Sequence, residues 1–306
     1  MGSGKYLVQG LMAWGMGMLW ISCGNKETAT KTNIETTTSG TITISVDDTY
    51  KPVIAQQLKV FDSSYPEAHV TAHYKSEKAC FEDLFSGTAK LIVTSRDLTE
   101  AERKAYIASG RKTRSLPVAM DAIAVIVHPN SPDTLMTLGQ LQKILQAGFI
   151  RTYDIVFDNG ESSTVRYITD SLIPGANLSS KAYAVKSLDS VISYVANKEN
   201  AIGFVGVSNI YDPEDNTGVG VFKNNIRVVA FKDDSTGIFY QPYQAYIALR
   251  QYPLTRSMYF ITTDNGRGLG AGVANFLCSE RGQLIFGKAR LAPLRVQLQI
   301  REAEIK

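Results

Sequence analysis

The stretch Tyr153–Leu172, which reads YDIVFDNGESSTVRYITDSL, combines the patterns of a strand, a polar turn and a helix start. The apolar run at 155–157 is typical of a strand buried in a parallel sheet. Turn residues follow at 158–160, and hydroxyl residues at 162–164 are N-cap candidates for an amphipathic helix. Backbone N–H groups at a helix start favour anions. The stretch therefore predicts either an anion-binding loop or an ordinary capped helix.

The same arrangement occurs three times near the start of the folded chain. Thr41–Val46 is an alternating strand that leads through Asp47–Thr49 into a helix from about Tyr50. A strand over 68–74 precedes a helix at Ser76, and a strand over 90–93 precedes a helix opened by Thr99, which has capping-box spacing to Glu102. Loops at the carboxyl ends of parallel strands lie together and bind ligands. This pattern predicts an α/β fold with its site at that edge.

The remaining chain continues the mixed pattern. We predict an extended run over 115–128, a short helix over 138–147, an amphipathic helix over 187–198, a Gly-containing strand over 201–207 suited to close backbone approach, strands over 226–231 and 243–249, and a closing helix from 270 to about 286.

Composition excludes some classes of function. A formal charge of +3, from 32 basic and 29 acidic residues without a basic stripe, gives no indication of nucleic-acid binding. His69, His73 and His128 lack metal-ligand spacing, so we expect no metal and no cofactor. Cys80 and Cys278 lie in apolar helical patterns and are predicted to be buried hydrophobes, although a disulfide between them stays an open alternative.

The amino terminus has the layout of a secretory signal. Lys5 precedes an apolar, glycine-rich run that ends at Cys23, and WISC before and including that cysteine resembles a lipobox. We expect a signal peptide over 1–22, lipidation of Cys23 and a polar, flexible linker over 23–39. A simple signal peptide and an uncleaved anchor are the alternatives. The expected location is a periplasmic lipoprotein held in the inner or the outer membrane.

Several motifs, taken in order, resemble one known family. They are IVTSRDLTEAE at 92–102, LPVAMDAIAVIVHP at 116–129, LGQLQKILQAG at 138–148, IVFDNGESSTVRY at 155–167, AIGFVGVS at 201–208, YPLTRSMYF at 252–260 and ERGQLIFGKARLAPL at 280–294. Together they resemble the PstS-like periplasmic phosphate-binding proteins of ABC transporters. That resemblance implies a type II-like, two-lobed α/β periplasmic binding protein with a hinge of two crossover strands.

The resemblance also implies where the lobes begin and end. Lobe one takes residues 40–117 and 240–306, and lobe two takes residues 118–239. The crossovers are the LPVAMDA strand and the stretch near Gln241–Gln244. Such a protein captures inorganic phosphate, or a similar oxyanion, in the cleft and delivers it to an ABC permease. We expect a monomer that is not an enzyme.

The ligand-binding residues follow from the matched motif positions: Thr49, Ser76, Ser95, Arg96, Asp158, Ser162, Ser163 and Thr164. Three of them depart from the pattern of the best-known family members. Arg96 stands where those members have an acid after a serine, although related branches have an arginine there. Ser163 replaces a glycine, and Asp158 stands where the phosphate-clamping arginine is expected. We therefore hypothesise a swapped pair, in which Arg96 clamps the anion and Asp158 accepts a ligand hydrogen. On this hypothesis Arg96→Ala abolishes phosphate binding in calorimetry, and Asp158→Ala weakens it less.

Other interpretations compete with phosphate capture. Arg166 is a third basic candidate or a solvated helix residue, and Glu161 adds a carboxylate that faces solvent or signals a different ligand. A lipoprotein that binds another oxyanion or a sugar-like ligand, or that acts as a sensory or interaction protein, keeps the same fold. An envelope hydrolase needs a nucleophile and a base, and the chain has no G-x-S-x-G elbow.

Overall fold

A computed structural model of the chain describes residues 35–212, 220–264 and 266–294. The predicted signal peptide, the lipidation site at Cys23 and most of the predicted linker lie outside these residues. Within them, no helix has the length and apolar character needed to cross a membrane. The end of the predicted linker contacts the folded body, because Glu35 accepts a hydrogen bond from the backbone N–H of Leu269 at 3.0 Å and pairs with Lys90 at 2.6 Å.

The helices and strands alternate through most of the described chain. The helices are α1 Lys51–Ser64, α2 Glu77–Ser86, α3 Glu100–Ala108, α4 Leu138–Leu145, α5 Ser163–Leu172, α6 Leu188–Asn197, α7 Gln244–Ala248, α8 Leu269–Cys278 and α9 Glu280–Lys288. The strands are β1 Gly40–Asp47, β2 Ala68–Lys75, β3 Leu91–Thr94, β4 Arg114–Val127, β5 Leu135–Met136, β6 Asp154–Phe157, β7 Ala182–Ala184, β8 Ala201–Gly206, β9 Arg227–Val228, β10 Ala230–Lys232, β11 Phe239–Tyr240, β12 Thr255–Thr262 and β13 Ala292–Pro293.

The long strand β4 joins two groups of strands into one sheet of order β2-β1-β3-β12-β4-β8-β6-β7. Its first part, Arg114–Ala122, pairs antiparallel with β12, while its last part, Ile123–Val127, pairs antiparallel with β8. Here the first lobe means the elements around β1, β2, β3 and β12, and the second lobe means those around β6, β7 and β8. Within each lobe the pairs β1–β2, β1–β3, β6–β7 and β6–β8 are parallel.

The parallel pairs decide where the loops lie. β3, β6 and the second half of β1 are almost wholly buried, and the three strands are rich in Ile and Val, as strands covered on both faces are. Each releases the chain at its carboxyl end into a polar loop and a helix start. Because β4 runs from the first lobe into the second and the chain returns beside it into β12, the loops of the first lobe face the loop before α5. The predicted strand–loop–helix units are therefore confirmed.

Three predicted elements differ from the structure. The strand predicted over 243–249 is instead helix α7, Gln244–Ala248, because the periodicity of so short an apolar run does not distinguish a strand from a helix. The crossover expected near Gln241–Gln244 consequently falls at a helix start. The return to the first lobe runs beside β4 at Tyr252–Leu254, where Leu254 accepts a hydrogen bond from the N–H of Ile123 at 2.9 Å.

The other two differences are breaks within predicted elements. The closing helix is two helices, since Ser279 caps the start of α9 by accepting a hydrogen bond from the N–H of Gly282 at 3.3 Å. The strand predicted over 226–231 is likewise two short strands, β9 and β10, which belong to different sheets. The break at Ser279 lies where a polar residue interrupts an apolar run, whereas Val229, between β9 and β10, is itself apolar and buried.

The cysteines occupy two different clusters of apolar side chains. Cys80 is buried in the smaller cluster under α2 and α3, with Phe81, Leu84 and Tyr106. Burial raises the pKa of the Cys80 thiol well above its ordinary value, which disfavours the thiolate. Cys278 is partly buried against the main core.

Candidate functional site

A buried arginine lies at the junction between the lobes. Arg256 sits on β12 directly across from Asp121 on β4, and alternation along β12 directs Arg256, Met258 and Phe260 to the buried side. Arg256 is only 5% exposed. Its Nε donates to Asp121 Oδ2 at 2.9 Å, and its Nη1 donates to Ser163 Oγ at 3.0 Å. One guanidinium group therefore joins the hinge strands to the start of α5.

Hydroxyl groups from both lobes meet beside this arginine. Thr49 Oγ1 lies 3.3 Å from Ser163 Oγ, and both residues are buried. Asp47 holds the first-lobe loop in place, because its Oδ1 accepts the N–H of Thr49 at 3.0 Å. Ser162 caps α5 by accepting the N–H of Val165 at 3.3 Å, so Ser163 occupies the first helical position.

The buried polar atoms without a hydrogen-bond partner among the described residues concentrate here. They include Arg256 Nη2, Asp47 Oδ2, Asp158 Oδ1, Thr164 Oγ1 and Tyr50 Oη. A buried polar group without a partner costs free energy, so native structures retain few of them without a reason. This set contains both donors and acceptors. It fits a small polar ligand that accepts hydrogen bonds at one side and donates them at another.

The charges of the site are set by its burial. Burial, partly offset by Arg256, raises the pKa of Asp47 to about 6. Burial also raises the pKa values of Asp158 and Asp121. For Arg256 burial opposes the charge, but Tyr50 and the carboxylates of Asp121 and Asp47 outweigh it and raise the pKa. The arginine is therefore a permanent cation among carboxyl groups that take up protons readily.

Backbone packing brings the second lobe against the first at this point. A Cβ atom added to Gly206, at the end of β8, would lie 2.7 Å from Thr49 Cγ2 and 3.9 Å from Arg256 Nη2. Only glycine fits there without displacing Thr49. The predicted close backbone approach in the strand over 201–207 is thus confirmed, and it occurs at the site.

A second polar cluster lies next to the first. The carboxylate of Glu77, 3% exposed, accepts hydrogen bonds from the N–H and Oγ of Ser95 at 2.9 and 2.7 Å and from Nε of Arg166 at 2.5 Å. Arg166 also donates to Ser95 Oγ at 2.8 Å. Glu77 and Ser95 belong to the first lobe and Arg166 to α5, so this cluster too connects the lobes.

A cavity of about 740 Å³ opens beside the second cluster. Its polar lining includes Glu77, Ser162 and Arg166, and its apolar wall includes Phe81 and Tyr106. In the part of the chain that the structure describes, no group of three or more His, Cys, Asp or Glu residues is placed to hold a metal ion.

Comparison with known proteins agrees with this two-lobed geometry. The model of a family described as the PBP superfamily domain matches residues 31–281. The chain belongs to the PBP superfamily. Among its relatives, the phosphate-binding protein PstS of Pseudomonas aeruginosa is 21% identical over 282 residues, which cover 84% of each chain. The resemblance to PstS-like proteins is confirmed.

Two solved structures confirm the fold class. A protein assigned as a phosphate ABC transporter substrate-binding protein of Clostridium perfringens, solved with bound phosphate, superposes with a TM-score of 0.71 at 19% identity. The match covers 84% of this chain and all of that one. An ABC-type phosphate transport receptor of Vibrio cholerae gives a TM-score of 0.65 at 19% identity, covering 82% and 99%.

In this PBP-superfamily chain, the structure brings together only some of the predicted site residues. Thr49, Ser163, Thr164 and Asp158 are buried in or beside the Arg256 cluster. Ser162 caps α5, and its side chain lowers the pKa of Asp158 against the larger effect of burial. These residues stay predictions as ligand contacts.

Ser76, Ser95 and Arg96 lie elsewhere. Ser76 caps α2 through the N–H of Ala79 at 3.4 Å, and Ser95 belongs to the Glu77 cluster. Arg96 donates to both carboxylate oxygens of Glu102 at 2.8 and 2.9 Å and stacks on the ring of Phe81 at 3.7 Å. The structure therefore does not bring Arg96 to Asp158, its partner in the hypothesised swap.

The sequence contained a signal for the residues that were missed. Arg256 alternates with Met258 and Phe260 in TRSMYFIT, and Asp121 interrupts the apolar run VAMDAIAVIV. A charged residue in phase with buried apolar residues on a strand needs a buried partner. Two such residues of opposite sign on two strands indicate an ion pair.

Proposed function

We propose that the chain binds inorganic phosphate, or a similar oxyanion, between its two lobes. The observation that carries this proposal is the buried, positively charged Arg256, whose Nη2 has no hydrogen-bond partner among the described residues. It lies beside the hydroxyls of Ser163 and Thr49, at the start of a ten-residue helix. An oxyanion that loses its water shell needs such donors, and the helix start adds a favourable dipole.

The neighbouring carboxyl groups favour a ligand that carries a hydrogen. Asp47 and Asp158 each have a buried oxygen without a partner. Such an oxygen is satisfied by the hydroxyl of a protonated phosphate, whereas a fully ionised sulfate offers no hydrogen and is repelled. We therefore expect phosphate to bind and sulfate to be rejected.

The contacts favour Arg256 over Arg96 as the residue that clamps the anion. The donors of Arg96 are engaged by a bidentate pair with Glu102 and by the carbonyl of Asp97. Arg256 is more deeply buried and contacts Ser163, a predicted ligand residue. We propose this assignment in place of the swapped pair, with Asp158 retained as a hydrogen-bond acceptor for the ligand.

Calorimetric titration of phosphate-free protein tests the proposal directly. Phosphate binding by Arg256→Lys is expected to weaken at least tenfold, because lysine keeps the charge but loses the planar fork that reaches Asp121, Ser163 and the ligand together. Arg96→Lys is expected to change affinity much less. Arg227→Lys, on an exposed position of β9, is the matched control.

The same titrations supply the contradicting results. A folded Arg256→Lys protein with wild-type affinity overturns the assignment of the clamp. If only Arg96→Lys strongly lowers phosphate affinity, Arg96 and not Arg256 is the residue that clamps the anion. If the wild-type protein binds sulfate or molybdate but not phosphate, the proposal that phosphate is the ligand is wrong. Circular dichroism melting confirms that each variant is folded before it is compared.

We further propose that the chain is a transport component outside the cytoplasm. The relatives described above are a phosphate-binding protein, a phosphate ABC transporter substrate-binding protein and an ABC-type phosphate transport receptor, which supports delivery of the ligand to an ABC permease. The signal-like amino terminus supports a lipid anchor on Cys23, which fatty-acid labelling of wild type and Cys23→Ser checks. We also propose lobe boundaries near 122 and 254 in place of 117 and 240, which is supported by the change of partner along β4 and by the contact of Leu254 with Ile123.

A further inference from the structure

The carboxylate of Glu77 occupies an unusual position for a residue in the first turn of a helix. Acidic residues there stabilise the helix from the solvent-exposed surface. Glu77 is instead 3% exposed and accepts three close hydrogen bonds, from the N–H and Oγ of Ser95 and from Nε of Arg166. A fourth contact, from Arg166 Nη2, measures 3.5 Å.

These donors are of the kinds that bind a dehydrated oxyanion. A backbone N–H, a hydroxyl and a guanidinium are the groups that hold phosphate and carboxylate ligands in proteins. They come from the loop after β3 in the first lobe and from α5 in the second lobe, on either side of the cleft. Ser95 is itself a predicted ligand residue. A side chain of the protein thus takes the place that an anionic ligand requires.

The negative charge of Glu77 also acts on the Arg256 cluster. Glu77 contributes to raising the pKa of Asp47, after the larger effects of burial and Arg256, and that of Tyr50, after burial, Arg256, Asp121 and Asp47. The two clusters are therefore close enough for Glu77 to repel an anion bound beside Arg256.

We infer that Glu77 is a specificity-determining residue that competes with the anionic ligand for Ser95 and Arg166. The inference rests on the proposed function. With Glu77 in place, the donors of Ser95 and Arg166 are already engaged and the charge of Arg166 is neutralised. A bound oxyanion therefore relies on Arg256, Thr49 and Ser163. Each additional negative charge on the ligand is then disfavoured by the same carboxylate.

The variant Glu77→Gln tests this inference. Glutamine keeps the size of the side chain and one oxygen for the Ser95 N–H, but it removes the charge and weakens the hold on Arg166. Phosphate affinity measured by calorimetry is expected to increase about tenfold, the effect of about 1.4 kcal/mol of relieved repulsion. Glu82→Gln removes the same charge from an exposed position on the same helix and is expected to leave affinity unchanged.

Two further measurements separate competition from a merely structural role. Loss of a buried ion pair is expected to lower the melting temperature of the unliganded Glu77→Gln protein, while phosphate raises that temperature more than it does in wild type. If Glu77 has only a structural role, Glu77→Gln is expected to lower both the melting temperature of the unliganded protein and the increase that phosphate produces. In an Arg166→Gln background the gain from Glu77→Gln is expected to shrink, since the contested donor is gone.

The possible failures are distinguishable. If wild type binds phosphate and folded Glu77→Gln binds it equally or more weakly, the inference is overturned and the proposed function stands. If wild type does not bind phosphate at all, the proposed function fails and the inference fails with it.

Discussion

At the scale of single residues, the site is defined by charges that the fold withdraws from water. Arg256 and Asp121 pair across adjacent strands, and Asp47 and Asp158 lie near them with oxygens that lack partners. Burying an ion pair costs solvation free energy that the pair only partly restores. A protein that keeps this arrangement in its hinge gains ligand-binding groups at the expense of stability.

The loss of stability caused by the buried charge of Asp47 can be measured from the pH dependence of unfolding. An aspartate in the unfolded chain titrates near 3.8, and burial raises the pKa of Asp47 to about 6 in the folded chain. The folded state therefore binds the proton more tightly, so stability decreases as pH rises from about 4 to about 6 and stays lower above. We expect Asp47→Asn to relieve up to about 3 kcal/mol of this cost at pH 7.

Urea unfolding at pH 4.5 and pH 7.5 in a phosphate-free buffer measures the effect. Asparagine keeps an acceptor for the N–H of Thr49, so the local turn is retained. Asp234→Asn, in an exposed loop, is the control and is expected to keep the wild-type pH dependence. Equal pH dependence in Asp47→Asn and wild type contradicts the prediction.

At the scale of elements, the sequence predicted whatever rests on a local pattern. The capping box of Thr99 and Glu102, an N-cap among residues 162–164, the helix starts near Ser76 and Ser187, and the buried strands are present as predicted. The strand predicted over 243–249 was wrong because a short apolar run fits a strand and a helix equally well. The single closing helix was wrong because Ser279 caps the start of a second helix. The clamp arginine was missed because its role depends on the pairing of β4 with β12, which are separated by more than 120 residues. The charges of Asp121 and Arg256 within apolar strands were a signal, but it has to be read on the two strands together.

The end of β8 offers a test of how tightly the elements fit around the site. Gly206→Ala places a methyl group against Thr49 Cγ2, so Thr49 has to move away from Ser163. We expect phosphate affinity to decrease about tenfold, because one hydroxyl donor is displaced from a pre-formed site. Calorimetry on folded protein gives the measurement.

Gly160→Ala is the matched control for this substitution. Gly160 lies in the loop before α5, and an added Cβ there meets no atom within 4 Å. Its phosphate affinity is expected to stay within twofold of wild type. Similar losses in both glycine variants, or none in Gly206→Ala, contradict the proposed close fit at Thr49.

At the scale of the whole molecule, polar contacts hold the loop and start of α5 against the first lobe. Arg166 bonds Glu77, Lys78 pairs with Glu161 at 2.8 Å, and Tyr167 Oη donates to the carbonyl of Thr255 at 2.9 Å. Lobes that rotate about hinge strands close around a ligand in such folds. These contacts across the cleft favour the closed arrangement.

These contacts differ in strength, and the difference yields a prediction about closure. The Lys78–Glu161 pair is largely exposed on both sides, and such pairs contribute little. The Arg166–Glu77 pair has a buried carboxylate, which becomes unpaired when the arginine is removed. We expect Arg166→Ala to shift the unliganded protein toward an open form by about 2 kcal/mol, the value for a buried pair reduced for the partial exposure of Arg166.

Small-angle scattering of Arg166→Ala should then give a larger radius of gyration without phosphate, and saturating phosphate should reduce it. Lys78→Ala is the control and should scatter like wild type. An unliganded Arg166→Ala protein with the wild-type radius of gyration would show that hinge strands β4 and β12, and not the pair across the cleft, keep the lobes together.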